Sequence, residues 1–461
     1  MTKKIAVFGG SFNPAGLHHR AMAESLSRIF DEVVIVPCGP RPDKPTVGDI
    51  APVHRAVMAD LTFRGLPRVR VELFDLEQST FTRTHRLDEM FRGEGEVWHV
   101  IGADLVEGGG AGRSYIHRAW EKGGELWERL NFAVASRAGY PIAAADLPPR
   151  HVQFSPPLSG ASSEIRERVF RHQSVAELVT PEVAAYIERY GLYRGLTPPR
   201  AAGLNLGRPR ALIVADERNP HAVALAGSLR TIEDRTAPNC VIVAGGDGTM
   251  IKAIRRLWRL RLPFIGVNAG HRGQLLNDLD GNGIPDFLEG DITAHQLPLI
   301  YAEARYADGR TCSGHAVNDA WVERASGQAA WVRVSVNGEV RLPKLVADGA
   351  LVATPAGSTA YARAMGAKPV LVGAQEYLLV GSNVAEPSHW KSAALPLDAQ
   401  VDLEALDPAK RPIRAFVDGS EKGIVVGLKA RVSRIAAVEV AFAAGRDMAA
   451  KQAEHFFSAT G

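Results

Sequence analysis

Two short stretches carry residue types suited to chemistry on phosphates. Residues 9–20 read GGSFNPAGLHHR, directly after the apolar run IAVF and directly before AMAESLSRIF. A glycine-rich turn that leaves a strand and opens a helix lets a ligand approach the backbone and presents unpaired N–H groups at the positive end of the helix dipole. Such a corner holds an anion, and His18 and His19 stand in its first turn. Taken alone, the stretch fits a phosphate site and a purely structural turn equally well. Its spacing matches neither GxGxxG nor GxxxxGK[ST], which removes support for a Rossmann dehydrogenase and for a Walker ATPase. The second stretch is CVIVAGGDGTMIKAIRR, which sets Gly245, Gly246, Asp247, Gly248 and Thr249 between a strand and a helix. A carboxylate beside phosphates is unfavourable unless it accepts a proton or holds a metal. Asp247 therefore points to phosphoryl transfer.

The elements that must position these residues follow from periodicity. Apolar runs IAVFGG, EVVIVPC, RVRVELFDL, VWHVIGA, NFAVASR and HVQFS alternate with helix-like segments, an order that predicts a parallel sheet with helices on its faces. This α/β domain is expected over residues 1–195, ending in VAAYIERYGLY. Residues 196–208 are rich in proline and glycine without periodicity and read as a linker. The α/β pattern restarts at residue 209 with RALIVAD and continues through LPFIGVNAG, giving an α/β lobe over 209–296. Residues 297–445 shift to strand-like segments with polar turns, a β-rich lobe, followed by a C-terminal tail over 446–461.

Composition sets bounds on function. The 461 residues suffice for two or three domains, and 46% hydrophobic with 23% charged residues is ordinary for a globular protein. A net charge of +3 is too small to imply nucleic acid or a membrane as the main partner. Cys38, Cys240 and Cys312 lie far apart with no CxxC, suggesting neither a disulfide framework nor a thiolate zinc site. No apolar stretch approaches the ~20 residues that span a bilayer, and MTKKIAVF is too short in its apolar part for a signal peptide. The expected location is the cytoplasm.

Further motifs follow the first corner in order: HRAVM (54–58), IGAD (101–104), Trp120, ASRAGY (135–140) and SSEIR (162–166). Together with GGSFNPxxxxH they resemble the nicotinate/nicotinamide mononucleotide adenylyltransferase family over residues 1–195. The resemblance implies a Rossmann-like nucleotidyltransferase domain that joins a pyridine mononucleotide to the AMP part of ATP. It implies that Gly9, Gly10, Ser11 and Phe12 line the nucleotide, with His19 as the catalytic residue on the ATP phosphates and His18 beside it. Asp104 and Trp120 would hold the pyridine mononucleotide, the indole stacking on its ring. Lys44 would bind nucleotide, Ser162 would cap its helix, and Arg166 on that helix's first turn would suit a phosphate contact. The chain departs from the family in three places. Gly16 occupies the first position of HxGH, Asp43 replaces a usual histidine, and EGGGAGRS (107–114) is inserted before Trp120. Because position 18 lies about 200° around a helix from position 16, His18 is expected not to stand in for the missing imidazole unless the turn is rebuilt. The loss is expected to cost rate by ~10²–10³-fold.

After the second corner come VNAGHRGQL (267–275), VND (317–319), ADG (347–349), TPAGSTAY (354–361) and FVDG (416–419). These resemble the NAD kinase family over residues 209–445, with TPAGSTAY the most specific element. The resemblance implies an α/β lobe plus a β-rich lobe, with Asp247 as general base on the adenosine-ribose 2′-hydroxyl. A divalent cation, usually Mg²⁺, would sit on the phosphates of ATP, the co-substrate; no metal ligand is assigned. Asn318 and Asp319 would bind the dinucleotide, with Thr359, Ala360 and Tyr361 at its adenine end and Asp348 near the ribose. Asp319 stands where the family usually has Glu, and Gln274 where it usually has Phe. DLDGNGIPDFLE (278–289) fits an EF-hand loop by letter, but Pro285 and the lack of an amphipathic entering helix argue against calcium.

The product of the first implied reaction, NAD, is the substrate of the second. The expected partners are small molecules: ATP, a pyridine mononucleotide and NAD. A homo-oligomer is implied by the kinase resemblance alone. Two other possibilities stand beside the bifunctional enzyme. The first domain could be a non-catalytic nucleotide-binding module that regulates the kinase. It could also transfer to another phosphate ester, against which Trp120 argues. The phosphoryl donor and the choice between NAD and NADH are not fixed by the sequence.

Overall fold

The computed structural model describes residues 2–41, 50–136, 142–270, 273–279, 283–444, 448, 450 and 451. Lys44 and Asp43 lie outside the described residues, as do parts of ASRAGY, GHRGQ and the EF-hand-like loop. The chain forms two compact units that divide between Pro198 and Pro199.

In the first unit, β1 (Lys4–Gly10), β2 (Glu32–Pro37), β3 (Val69–Val71), β4 (Glu96–Gly102), β5 (Asn131–Ala135) and β6 (His151–Phe154) form one sheet. Its order is β3-β2-β1-β4-β5-β6, and every pairing is parallel. Parallel strands are covered by helices on both faces, so their sequences read as continuous apolar runs. Ile5, Ala6, Val33, Val34 and Ile35 accordingly have no exposed surface. The order reverses direction at β1 and β4, and such a switch point opens a crevice at the strands' carboxyl ends. GGSFNP begins there. RVRVELFDL forms a strand only over Val69–Val71, and its FDL part turns into the short helix Phe74–Gln78.

The second unit carries β7 (Ala201–Leu204), β8 (Ala211–Ala215), β9 (Cys240–Gly245), β10 (Phe264–Asn268) and β11 (Ile292–Arg305). The segment 196–208, read as a linker, contains β7, which pairs antiparallel with β11. Backbone pairing with a strand some ninety residues on supplies the order that local periodicity lacked. The boundary between lobes at 296/297 is corrected, since it cuts through β11. That strand and the long closing strand Gly427–Ala443 run through both lobes: the closing strand pairs parallel with β10 at one end and antiparallel with β11 along its length. The lobes therefore share a ten-stranded sheet. A second sheet of six strands faces it, with Asp319–Arg324 and Gly349–Ala353 at its centre. Ile300, Ala302 and Ala304 of β11 pack with Val322, Val352 and Leu403 in a shared core. Among the described residues, no helix is long and apolar enough to cross a membrane.

Candidate functional site

The first corner is built from the end of β1. Gly9 borders open space, whereas a Cβ on Gly10 would come 3.0 Å from the Phe12 ring, so Gly10 makes room for that ring. Phe12 is 1% exposed with φ of 44°, and packs edge-on against Phe8, Phe63 and His19. The loop is pinned from three sides. Arg55, fully buried on the helix Pro52–Phe63, donates to the carbonyls of Ser11 (from Nε, 3.1 Å) and Cys38 (2.7 Å), tying the ends of β1 and β2 together. Arg166 donates to the Asn13 carbonyl at 2.7 Å, and the Tyr193 hydroxyl to Asn13 Oδ1 at 2.8 Å. Ser162 donates from its hydroxyl to the Pro14 carbonyl at 2.8 Å. The expected capping role of Ser162 is corrected: Ala161 is the cap position, and Ser162 is the first residue of the helix Ser162–Phe170. Its hydroxyl is spent on the corner instead.

Gly16 caps the helix Leu17–Ser27 with extended backbone, and its N–H donates to His19 Nδ1 at 3.1 Å. A neutral imidazole that accepts at Nδ1 carries its proton on Nε2, so His19 offers one N–H donor to a ligand. Burial, with His18 adding to it, holds His19 well below the ordinary value of 6.5. Burial also lowers His18, opposed by Glu164. The two rings lie 3.9 Å apart between centroids. His18 therefore stands beside His19, and because Gly16 caps the helix from outside it, the angle per residue of a helix does not relate position 16 to position 18.

Next to the corner a cavity of about 380 Å³ is lined by Gly9, Gly10, Phe81, Thr82, His99 and Trp120, among others. Asp75 borders it too, its carboxylate accepting from Thr82 N (3.0 Å) and Thr80 Oγ1 (3.1 Å), which fixes the Phe81 loop. Trp120 thus borders the same cavity as Gly9 and Gly10. Asp104 is exposed on the short 3-10 turn Ala103–Leu105 and is not among the lining residues, although Ile101 and Leu105 on either side are. The sequence quoted HRAVM without seeing the role of Arg55, and it missed the Asp75–Thr82 loop altogether. Only Arg55 left a signal, as an arginine within a largely apolar helix that also carries His54, Asp60 and Thr62. His54 beside it bonds the Tyr186 hydroxyl at 2.9 Å and is pushed down to about 4 by burial.

In the second unit Gly246 caps the helix Asp247–Leu257, placing Asp247 at its first position. Gly245, at φ of 159°, would bring a Cβ within 2.9 Å of Thr249, so close helix packing requires a glycine there. The Asp247 carboxylate accepts from the backbone N–H groups of Gln274 and Leu275, both at 2.9 Å. A carboxylate has about four lone-pair sites, so two remain for a substrate. Lys451 holds that same loop, donating to the Leu276 carbonyl at 2.5 Å and to Asp278 at 2.9 Å.

VND is fixed by FVDG. The Asp418 carboxylate accepts from the N–H groups of Val317 (2.7 Å), Asn318 (2.9 Å) and Asp319 (3.2 Å). TPAGSTAY packs on the same turn: the Thr354 hydroxyl donates to Val317 O, and a Cβ on Gly357 would come 2.2 Å from Asn318 O. Asp319 is 4% exposed, and burial together with Asp418 raises it to about 7. Asp348 is paired with Arg324 at 2.6 Å and Asn383 at 2.7 Å. It lines a cavity of about 400 Å³ with Trp321, Glu323, Tyr361 and Arg414. Asp348 and Tyr361 thus share one cavity, while Thr359 and Ala360 are not among its lining residues. Sequence reasoning quoted FVDG but did not single out Asp418.

Comparison with known proteins agrees with this division. The model of the family described as Cytidylyltransferase-like matches residues 7–168, and that of the ATP-NAD kinase N-terminal domain matches residues 219–277. An NAD kinase of Rickettsia bellii is 34% identical over 218 residues, covering 47% of this chain and 85% of the relative. One from Cereibacter sphaeroides is 36% identical over 191 residues, covering 41% of this chain and 75% of the relative. A crystal structure of yeast NADH kinase complexed with NADH aligns with a TM-score of 0.49 at 16% identity, over 58% of this chain and 94% of that one. The chain is a two-part α/β protein whose second part is a kinase. It belongs to the NAD kinase family, with a cytidylyltransferase-like domain fused at the N-terminal side of its kinase domain.

Proposed function

We propose that the chain makes NAD and then phosphorylates it. In the first unit a phosphate oxygen of the pyridine mononucleotide attacks the α-phosphorus of ATP, and the bond to the bridging oxygen breaks to release pyrophosphate. The nucleophile is already an anion, so the protein needs to position it and stabilise charge rather than remove a proton. His19 donates from Nε2 to the ATP phosphates, Arg166 contacts phosphate with the donors not bonded to Asn13, and Trp120 stacks on the pyridine ring. In the second unit the 2′-hydroxyl of the adenosine ribose attacks the γ-phosphorus of ATP, its proton passes to Asp247, and ADP leaves. Asn318, Asp319, Asp348 and Tyr361 hold the dinucleotide. Oxygen ligands suit a divalent ion such as Mg²⁺, which commonly takes one or two carboxylates plus substrate phosphates. Asp247 fits that pattern as a single carboxylate, and the ion would neutralise phosphate charge.

The observation that carries adenylyl transfer is the bond from Gly16 N–H to His19 Nδ1, which aims a donor from a helix start at the head of the phosphate corner. Direct coupling favours nicotinamide mononucleotide, because a nicotinate product needs amidation before a NAD kinase acts on it. The test is pyrophosphate release by the full chain with ATP and each mononucleotide in turn, alongside NADP formation from NAD. Turnover of nicotinate mononucleotide alone would sink direct coupling. Gly16 favours one other possibility, a nucleotide-binding regulatory module. It predicts tight binding, altered kinase kinetics and no pyrophosphate.

A further inference from the structure

We propose that His18 supplies the second phosphate-directed imidazole of the first corner, in the role that the HxGH pattern gives to position 16; this rests on the adenylyl-transfer function above. Gly16 and His18 together read as one exchange: the glycine and the imidazole have traded places. Position 16 has no room for a side chain, since a Cβ there would come 2.9 Å from the Leu178 carbonyl oxygen and 3.0 Å from Cε1 of His18. The rim of the His18 ring thus borders the volume into which a side chain at position 16 would start. A Cβ on Gly160 would come 2.9 Å from His18 Nδ1. Two glycines 144 residues apart in the chain thus border the ring, which rests on His19 with a tilt of 39° between the ring planes.

The location suits an anion. The helices Leu17–Ser27 and Ser162–Phe170 both begin beside the loop 13–16, which Ser162 and Arg166 bond from the second helix. Their N-termini add partial positive charge at that point. Burial disfavours the charged form of both imidazoles, opposed at His18 by the Glu164 carboxylate, and either form of an imidazole offers phosphate an N–H donor. A pair of such donors, fixed before the ligand arrives, stabilises charge on a transferring phosphoryl group without reorganising.

The test uses the full chain, with denaturant unfolding of the first unit as the measure that each variant is folded. His18→Ala is expected to lower kcat for pyrophosphate release by ~10²-fold while the KM for mononucleotide changes little. His18→Gln keeps an N–H donor and should recover most of that loss, whereas His18→Leu fills the space without a donor and should stay as slow as His18→Ala. Gly160→Ala pushes on the ring from outside the corner and should lower kcat in the same way. Gly16→His should lose activity, because the position is closed. The role of His18 is overturned if His18→Ala turns over like the wild type, if His18→Gln is as slow as His18→Ala, or if Gly16→His gains activity. A folded wild type that releases no pyrophosphate overturns adenylyl transfer itself, and His18's role with it.

Discussion

The two phosphate corners of this chain use one backbone device with opposite chemistry. In each, a parallel strand ends in two glycines and a helix begins after a glycine cap with extended backbone, Gly16 in the first and Gly246 in the second. At the first helical turn, however, one corner presents two imidazoles whose charged form burial disfavours, and the other presents a carboxylate anchored by two backbone N–H groups. On the function proposed above, the nucleophile explains the difference. A mononucleotide phosphate arrives ionised and needs donors around it, whereas a ribose hydroxyl must lose a proton and needs an acceptor. A shared fold element therefore says that phosphate is bound, and the side chain at its helix start says which transfer is run.

The sharpest way to break this comparison is to remove the acceptor. Asp247→Asn is expected to reduce NADP formation by ~10²–10⁴-fold while pyrophosphate release stays within experimental error of the wild type. If both rates fell together, the corners would not be independent sites. His19→Ala should do the converse, lowering pyrophosphate release by ~10²–10³-fold and sparing NADP formation. Arg55→Met leaves the carbonyls of Ser11 and Cys38 without their buried donor and should destabilise the first unit by about 3 kcal/mol. Denaturant unfolding monitored on each unit would show the first transition move and the second stay.

A subtler difference lies in pH. His54 is pushed down to about 4 from 6.5, so between those values the unfolded chain binds more protons. The first unit then loses stability as pH falls through that window, on the order of 3 kcal/mol at its end. Asp319 is raised from 3.8 to about 7, so between those values the folded chain binds more protons, and the second unit loses stability as pH rises. Thermal unfolding across pH 4–7 should show the two units moving in opposite directions. His54→Phe should flatten the first slope and Asp319→Asn the second; parallel slopes would refute the assignment.

Much of this was legible in the residues. The apolar runs gave the parallel sheet because a strand covered on both faces must be apolar throughout, and glycines directly after such runs marked both corners. Ser162 shows where legibility ended. Its letter and position suit a helix cap, yet its hydroxyl bonds Pro14, nearly 150 residues away, and no local pattern encodes that choice. The lobe boundary failed for a related reason, since β11 runs through both lobes as one strand, across a register shift between Pro298 and Ile300, and the closing strand pairs along it.

The sequence by itself determined the elements, the order of the two units and the residue types at each corner, because strand and helix periods and glycine turns are properties of neighbouring residues. Tertiary structure alone decided which side chains meet. It set His18 against Gly160, drew the Arg55 guanidinium onto the ends of two strands, and placed the Asp418 carboxylate on the VND backbone. Those contacts join positions far apart in the chain, and only the closed fold brings them within bonding distance.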